Sequence, residues 1–184
     1  ITSALTGEIL VGTGQTYTSL TDDAPTGLFK AINERVVTGN LTVKITSDLT
    51  ETGAVALNQT TEEAIYTITI QPNDASLKTI SGTYTGGLIR LNGADGITFD
   101  GRFGGSGNYL TFSNLGTSTN SAVFQLISLG TGAGATNNTI RNCNILAGDN
   151  TVTSMFGIFV GGASISTSGT GADNDNLTIQ NNNI

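Results

Sequence analysis

The sequence predicts an all-β fold, a right-handed parallel β-helix (a solenoid) with an N-terminal capping helix, and three observations carry that prediction. Thr, Asn, Ser and Gly make up nearly half of the 184 residues, whereas only 11% of residues are charged. These residues are mediocre to poor in helix interiors and suit short strands and turns. A strand phrase, apolar-Thr-apolar-polar, recurs along the chain, and its longest echo sets residues 137–145 against residues 176–184, 39 residues on. Repetition at such a period without intervening helices marks a solenoid, in which like strands stack on like.

The elements follow in chain order. Residues 1–40 read as a cap: a strand and turn around residues 9–20, then a helix over about 27–37. Thr26 is placed to cap that helix, Leu28, Phe29, Ile32 and Val36 form one apolar stripe, and Gly39 ends it. A bare β-helix end exposes strand edges and core side chains, so a cover is expected there. Residues 41–184 read as the β-helix itself, about three and a half coils long.

One strand type carries the Thr phrase, with Thr69, Thr98, Thr139 and Thr178 at equivalent positions. Its period-two alternation turns Ile70, Phe99, Ile140 and Ile179 inward and sets Gln71, Asp100, Arg141 and Gln180 in an outward column. A second type spans 87–93, 122–128 and 155–161, with 41–45 as its earliest member. There Ile89, Phe124 and Ile158 stack inward, as do Leu91, Leu126 and Val160, while Lys44, Arg90, Gln125 and Phe159 face out. A shorter third stretch lies at 79–81 and 110–114. At the exit of the Thr strands Gly101, Asn142 and Asn181 align, and Asn142 and Asn181 are expected to form an amide ladder. A sandwich would favour two-residue hairpins and a propeller four strands per repeat, and neither pattern is present.

Composition also bounds function. With no His there is no Ser-His-Asp triad, histidine base or histidine–metal site. A net charge of -7 with seven scattered Lys and Arg, none after Arg141, argues against nucleic acid. No apolar run approaches the ~20 residues of a transmembrane helix. The opening Ile1-Thr2-Ser3-Ala4 has neither the charged nor the apolar region of a signal peptide and is compatible with a mature N-terminus. The lone Cys143 reads as a small structural residue. Asp173 and Asp175 lie in an oxygen-rich stretch that is either a polar turn or a Ca²⁺ loop, and no other cofactor is expected. Asp100, Arg102 and Arg141 form the one conceivable charged cluster: an acid–base group, or simply a solvated ion pair between coils.

The start of the chain, Ile9-Leu10-Val11-Gly12-Thr13-Gly14 followed by a helix and Gly39-Asn40-Leu41-Thr42-Val43, resembles the start of pectin-lyase-like β-helix proteins. The run Leu91-Asn92-Gly93-Ala94-Asp95-Gly96-Ile97-Thr98-Phe99-Asp100-Gly101 is similar to repeats of large Bacteroidetes-type surface proteins, many of which carry a type IX secretion sorting domain. That resemblance implies a secreted or cell-surface, adhesin-like module. It also admits polysaccharide esterases, whose motifs are not found here, hydrolases, whose His is absent, and lyases, whose carboxylate and basic residue would have to come from the Asp100, Arg102 and Arg141 cluster. Three functions are therefore expectations: a non-catalytic stalk or adhesin with glycans as partners, the first part of a polysaccharide lyase or hydrolase with its site beyond residue 184, or a fibre subunit stacking end to end. Further coils or another chain are expected at the C-terminal end, and secretion machinery is an expected partner of a longer protein.

Overall fold

The computed structural model describes residues 3–59, 66–148, 155–168 and 171–184. Its strands form three sheets, and every pairing between named strands is parallel. The first sheet contains β1 (Leu5–Val11), β2 (Val37–Ile45), β5 (Ile68–Pro72), β8 (Ile97–Asp100), β11 (Thr139–Arg141) and β14 (Thr178–Gln180), in that order. The second holds β3 (Leu49–Glu51), β6 (Lys78–Gly82), β9 (Leu110–Asn114) and β12 (Cys143–Ala147). The third holds β4 (Leu57–Asn58), β7 (Gly87–Asn92), β10 (Ser121–Ile127) and β13 (Met155–Gly161). Each coil takes one strand from each sheet, so the fold is a parallel β-helix.

The register places the strand at 41–45 differently from the sequence expectation. Leu41, Thr42, Val43 and Lys44 pair with Ile68, Thr69, Ile70 and Gln71 in the first sheet. Lys44 therefore stacks on Gln71 and not on Arg90. The cause is a complete extra coil, whose β3 and β4 are three and two residues long and carry too little alternation to read from sequence.

Period-two alternation drives the packing. Ile70, Phe99 and Ile140 stack inward and are fully buried, as are Ile89 with Phe124 and Leu91 with Leu126. In the third coil each sheet contributes one inward ring. Phe99, Phe112 and Phe124 meet with centroids 5.6, 4.9 and 4.7 Å apart, two contacts edge-to-face and one tilted. Such pairs add directional attraction to burial.

At the N-terminal end the second and third sheets are covered, and the first ends on an added strand. Strand β1 lies on β2, residues 19–21 lie over β3, and a short helix, α1 (Leu28–Glu34), packs against β4. Leu28, Phe29, Ala31 and Ile32 bury its inner face. Asn33 fastens it, donating from Nδ2 to the Ala56 carbonyl (2.8 Å) and accepting from the Asn58 N–H (3.0 Å). The helix is shorter than the sequence expectation. Gly27 occupies the N-cap with no side-chain bond, so Thr26 does not cap it, and Val36 is 58% exposed because the chain has already turned into β2.

The C-terminal end is different. Within the same inward columns, Ile179 is 48% exposed and Val160 41%, where their predecessors Ile140 and Leu126 are fully buried.

Candidate functional site

The first sheet sets two columns of side chains on its outer face. Thr42, Thr69, Thr98, Thr139 and Thr178 are in register from β2 to β14, one strand spacing (~4.8 Å) apart. Two residues on, Lys44 pairs with Gln71, Asp100 with Arg141, and Arg141 with Gln180.

Asp100 is the electrostatic centre of this face. Its side chain is 8% exposed and lies between two guanidinium groups. Arg102 donates from Nε to Oδ1 (2.9 Å) and from Nη2 to Oδ2 (2.8 Å), and its backbone N–H adds a 3.1 Å bond to Oδ1. From the next coil Arg141 donates Nε to Oδ2 (3.0 Å), with Nη2 2.8 Å from the same oxygen. Burial pushes the Asp100 pKa up, but the bonds from Arg102 and Arg141 outweigh it and hold the carboxyl below the usual carboxylate range. Both oxygens are taken by fixed cationic donors, which ties two coils together and leaves the carboxylate a poor proton acceptor.

At the corners before β8, β11 and β14, Gly96, Asn137 and Asn176 occupy equivalent positions with φ of 70°, 56° and 55°. Asn is the residue besides Gly that visits this region most readily. Asn142 and Asn181, at the exits of β11 and β14, also have positive φ (52° and 54°). They do not form the expected carboxamide ladder. The Asn142 Nδ2 donates instead to Asn108 Oδ1 (3.3 Å), while Asn108 Nδ2 donates to the Asn181 carbonyl (3.3 Å). Side-chain amide pairs between coils occur elsewhere, at Asn58–Asn92 (2.9 Å), Asn137–Asn176 (3.2 Å) and Asn144–Asn183 (2.7 Å).

The stretch holding Asp173 and Asp175 braces the loop of the preceding coil. Asp173 Oδ2 accepts from the Gly132 N–H (2.5 Å), Asn174 Oδ1 from the Ala135 N–H (2.8 Å), and the Asp175 carbonyl from the Asn137 N–H (3.0 Å). Among the described residues no group of three or more His, Cys, Asp or Glu is placed to hold a metal ion.

The third sheet departs most from expectation. Arg90, Gln125 and Phe159 are in register, but they are not a solvent-facing row. Gln125 is 2% exposed: its Nε2 donates to the carbonyls of Gly162 (3.2 Å) and Ala163 (3.1 Å), and its Oε1 accepts from the Gly87 N–H (3.3 Å). Phe159 joins Ala122, Phe156 and Ile165 in a second, small apolar cluster. The segment after β13 folds back over this face, which strand alternation alone does not reveal. Arg90 is likewise engaged, donating from Nη2 to the Gly53 carbonyl (2.6 Å) and the Ala54 carbonyl (3.0 Å), with its guanidinium 5.1 Å from the Tyr84 ring centroid.

Sequence reasoning missed Glu51. This buried carboxylate at the end of β3 accepts from Ser19 Oγ (2.7 Å), Leu20 N–H (2.9 Å), Thr21 N–H (2.7 Å) and Thr21 Oγ1 (2.5 Å). Those bonds clamp the cap onto the first coil. The available signal was a charged residue at an inward position, two after Leu49. Cys143 is buried against the Arg141 carbonyl, and burial pushes its thiol up to about 12.

No family model, curated protein or solved structure matches this chain.

Proposed function

We propose that this chain is a non-catalytic, secreted or cell-surface β-helix module, a stiff stalk or adhesin whose outer face meets glycan hydroxyls. The observation that carries this reading is the state of Asp100. Its oxygens are saturated by Arg102 and Arg141, so the most conspicuous charged cluster acts as a fastener between coils and not as a proton-transfer pair. A general base needs a carboxylate within reach of a substrate proton and a pKa raised toward the working pH. Asp100 has the opposite shift. The resemblance to large surface proteins agrees with this reading, and the row of Thr hydroxyls on the first sheet supplies donors and acceptors suited to sugars.

The test is incubation of the chain with a panel of neutral and acidic polysaccharides. Retention on one or more of them, without new reducing ends or unsaturated uronates, is the expected result. Bond cleavage that disappears in Asp100→Asn would overturn the proposal in favour of a lyase or hydrolase.

A further inference from the structure

We propose that the outer face of the first sheet binds anionic glycans whose acid groups recur on every second sugar, seated on Lys44 at one end and on the Arg102–Arg141 pair at the other. The inference rests on the glycan reading above and adds the class of ligand and its place.

The Asp100 fastener leaves donors and charge over. Arg102 and Arg141 both turn Nε and Nη2 toward Asp100, and among the described residues nothing bonds Nη1 of either guanidinium. Neither Nη1 is a buried atom without a partner, so both reach solvent. One carboxylate between two guanidiniums also leaves a surplus positive charge. Free N–H groups on a planar cation are well matched to the paired oxygens of a carboxylate or a sulfate ester. Lys44 is the second cation of this face. Its neighbours along the outward column, Leu10 and Gln71, are uncharged. None of the ion pairs among the described residues includes it. The chain as a whole carries a net charge of -7, so it has no general attraction for polyanions, and their binding has to be local.

Spacing selects the ligand. The register places Gln71 between Lys44 and Asp100, so the two charged points are two coils apart, about 10 Å at one strand spacing per coil. A sugar in an extended glycan advances by about one coil spacing. A chain lying along the stack therefore brings its first and third sugars to the cations and its second to Gln71. A neutral sugar at that middle position meets an amide, whereas an acid there meets no counter-charge. Beside this column Thr42, Thr69 and Thr98 climb in the same register and keep part of their surface open. They lie two residues away along each strand, about 6.6 Å. That is the span of a six-membered sugar ring from its exocyclic acid to the hydroxyls on its far side, so acid and hydroxyls are met together. Glu8, in register with Thr42 on β1, repels any further acid and ends the track below Lys44.

Calorimetric titration with hyaluronan and unsulfated chondroitin oligosaccharides, whose glucuronates alternate with neutral sugars, tests this against polygalacturonate and dextran fragments of equal length. The alternating glycans are expected to bind about tenfold more tightly than dextran and about threefold more tightly than polygalacturonate, and to weaken as salt rises. Lys44→Gln and Arg141→Gln should each weaken that binding about fivefold, and Gln71→Lys should move the preference toward polygalacturonate. Lys30→Gln, which removes a cation of the cap, should leave binding unchanged. Binding of dextran alone would overturn this inference and leave the glycan reading standing, whereas binding of no glycan at all would overturn both. Polygalacturonate held as tightly as the alternating glycans, or binding indifferent to the Lys44 and Arg141 variants, would also overturn it. If Arg141→Gln fails to fold, Lys44→Gln and Gln71→Lys, on other coils, decide the matter.

Discussion

Replacing Asp100 by Asn removes the charge that two coils share while keeping the shape of the side chain. Three terms set the expected loss. Hydrogen bonds to a charged group contribute about 1.5–3 kcal/mol net in a protein interior. Partial exposure of the arginines, 29% for Arg102 and 35% for Arg141, lets solvent screen part of this. Against that, the Asn amide turns an N–H toward a guanidinium. A loss of about 2 kcal/mol is expected at pH 7, measured by urea unfolding with the slope unchanged. Arg141→Gln should cost less, about 1 kcal/mol, because Arg102 keeps its two-pronged grip. The pH dependence has a definite sign. The folded Asp100 pKa lies below its unfolded value, so its contribution is complete above the unfolded pKa, near 3.9, and is lost as pH falls through the folded pKa. The gap between wild type and Asp100→Asn should therefore close as the acid range is entered. A loss under about 0.5 kcal/mol at pH 7, of the size typical for an exposed pair, or a gap that does not narrow in acid, would refute the reasoning.

Phe124→Ala is expected to cost about 3–5 kcal/mol in urea unfolding, since it empties the centre of the three-ring cluster; a cost below about 1 kcal/mol would mean the rings do not pack as described. Gln125→Asp should cost about 1–3 kcal/mol, since a carboxylate cannot donate to the Gly162 and Ala163 carbonyls, whereas Gln180→Glu on the exposed β14 should stay within about 0.5 kcal/mol. Cys143 should resist Ellman's reagent at pH 8 in the folded chain and react fully in urea; fast labelling of the native protein would contradict its burial. Glu51→Ala should raise amide exchange at Leu20 and Thr21 at least tenfold, and unchanged exchange there would remove Glu51 from the cap.

The parallel β-helix was legible because the stacking rule writes itself into the sequence. Ile70, Phe99, Ile140 and Ile179 share a column since each precedes a polar outward residue and follows a Thr. Where strands shrink, the rule fades: β3 and β4 carry one clear inward apolar residue each, Leu49 and Leu57, and their coil went unseen. Alternation also distinguishes the two faces of a strand without saying what covers them. Gln125 is polar and looked solvated, yet a loop supplies its partners from 37 and 38 residues away. Of the candidate site, the Asp100–Arg141 neighbourhood followed from register alone, while the closure of both Asp100 oxygens depended on side-chain geometry. The Asn142–Asn181 ladder misled for a related reason. Both residues sit at the strand exits, as expected, but with positive φ the chain turns there, and the Asn142 carboxamide bonds Asn108 instead of Asn181.

The N-terminal cover also gives the stack an order of construction. Leu41 pairs with Ile68 and Ile68 with Ile97, while Thr98 pairs with Thr139 and Thr139 with Thr178, so every new strand closes a loop of only a few tens of residues on one already laid down. The entropy of each closure is nearly constant, however many coils precede it. Contacts between neighbouring coils keep their sequence separation as the stack grows, so lengthening it does not slow any single step. A chain that emerges from its N-terminus completes the cap once Glu51 has appeared, and that closed end becomes a starter for one-way growth. At every later stage the second and third sheets have a single advancing tip rather than two, which halves the bare edge they offer to a wrong strand.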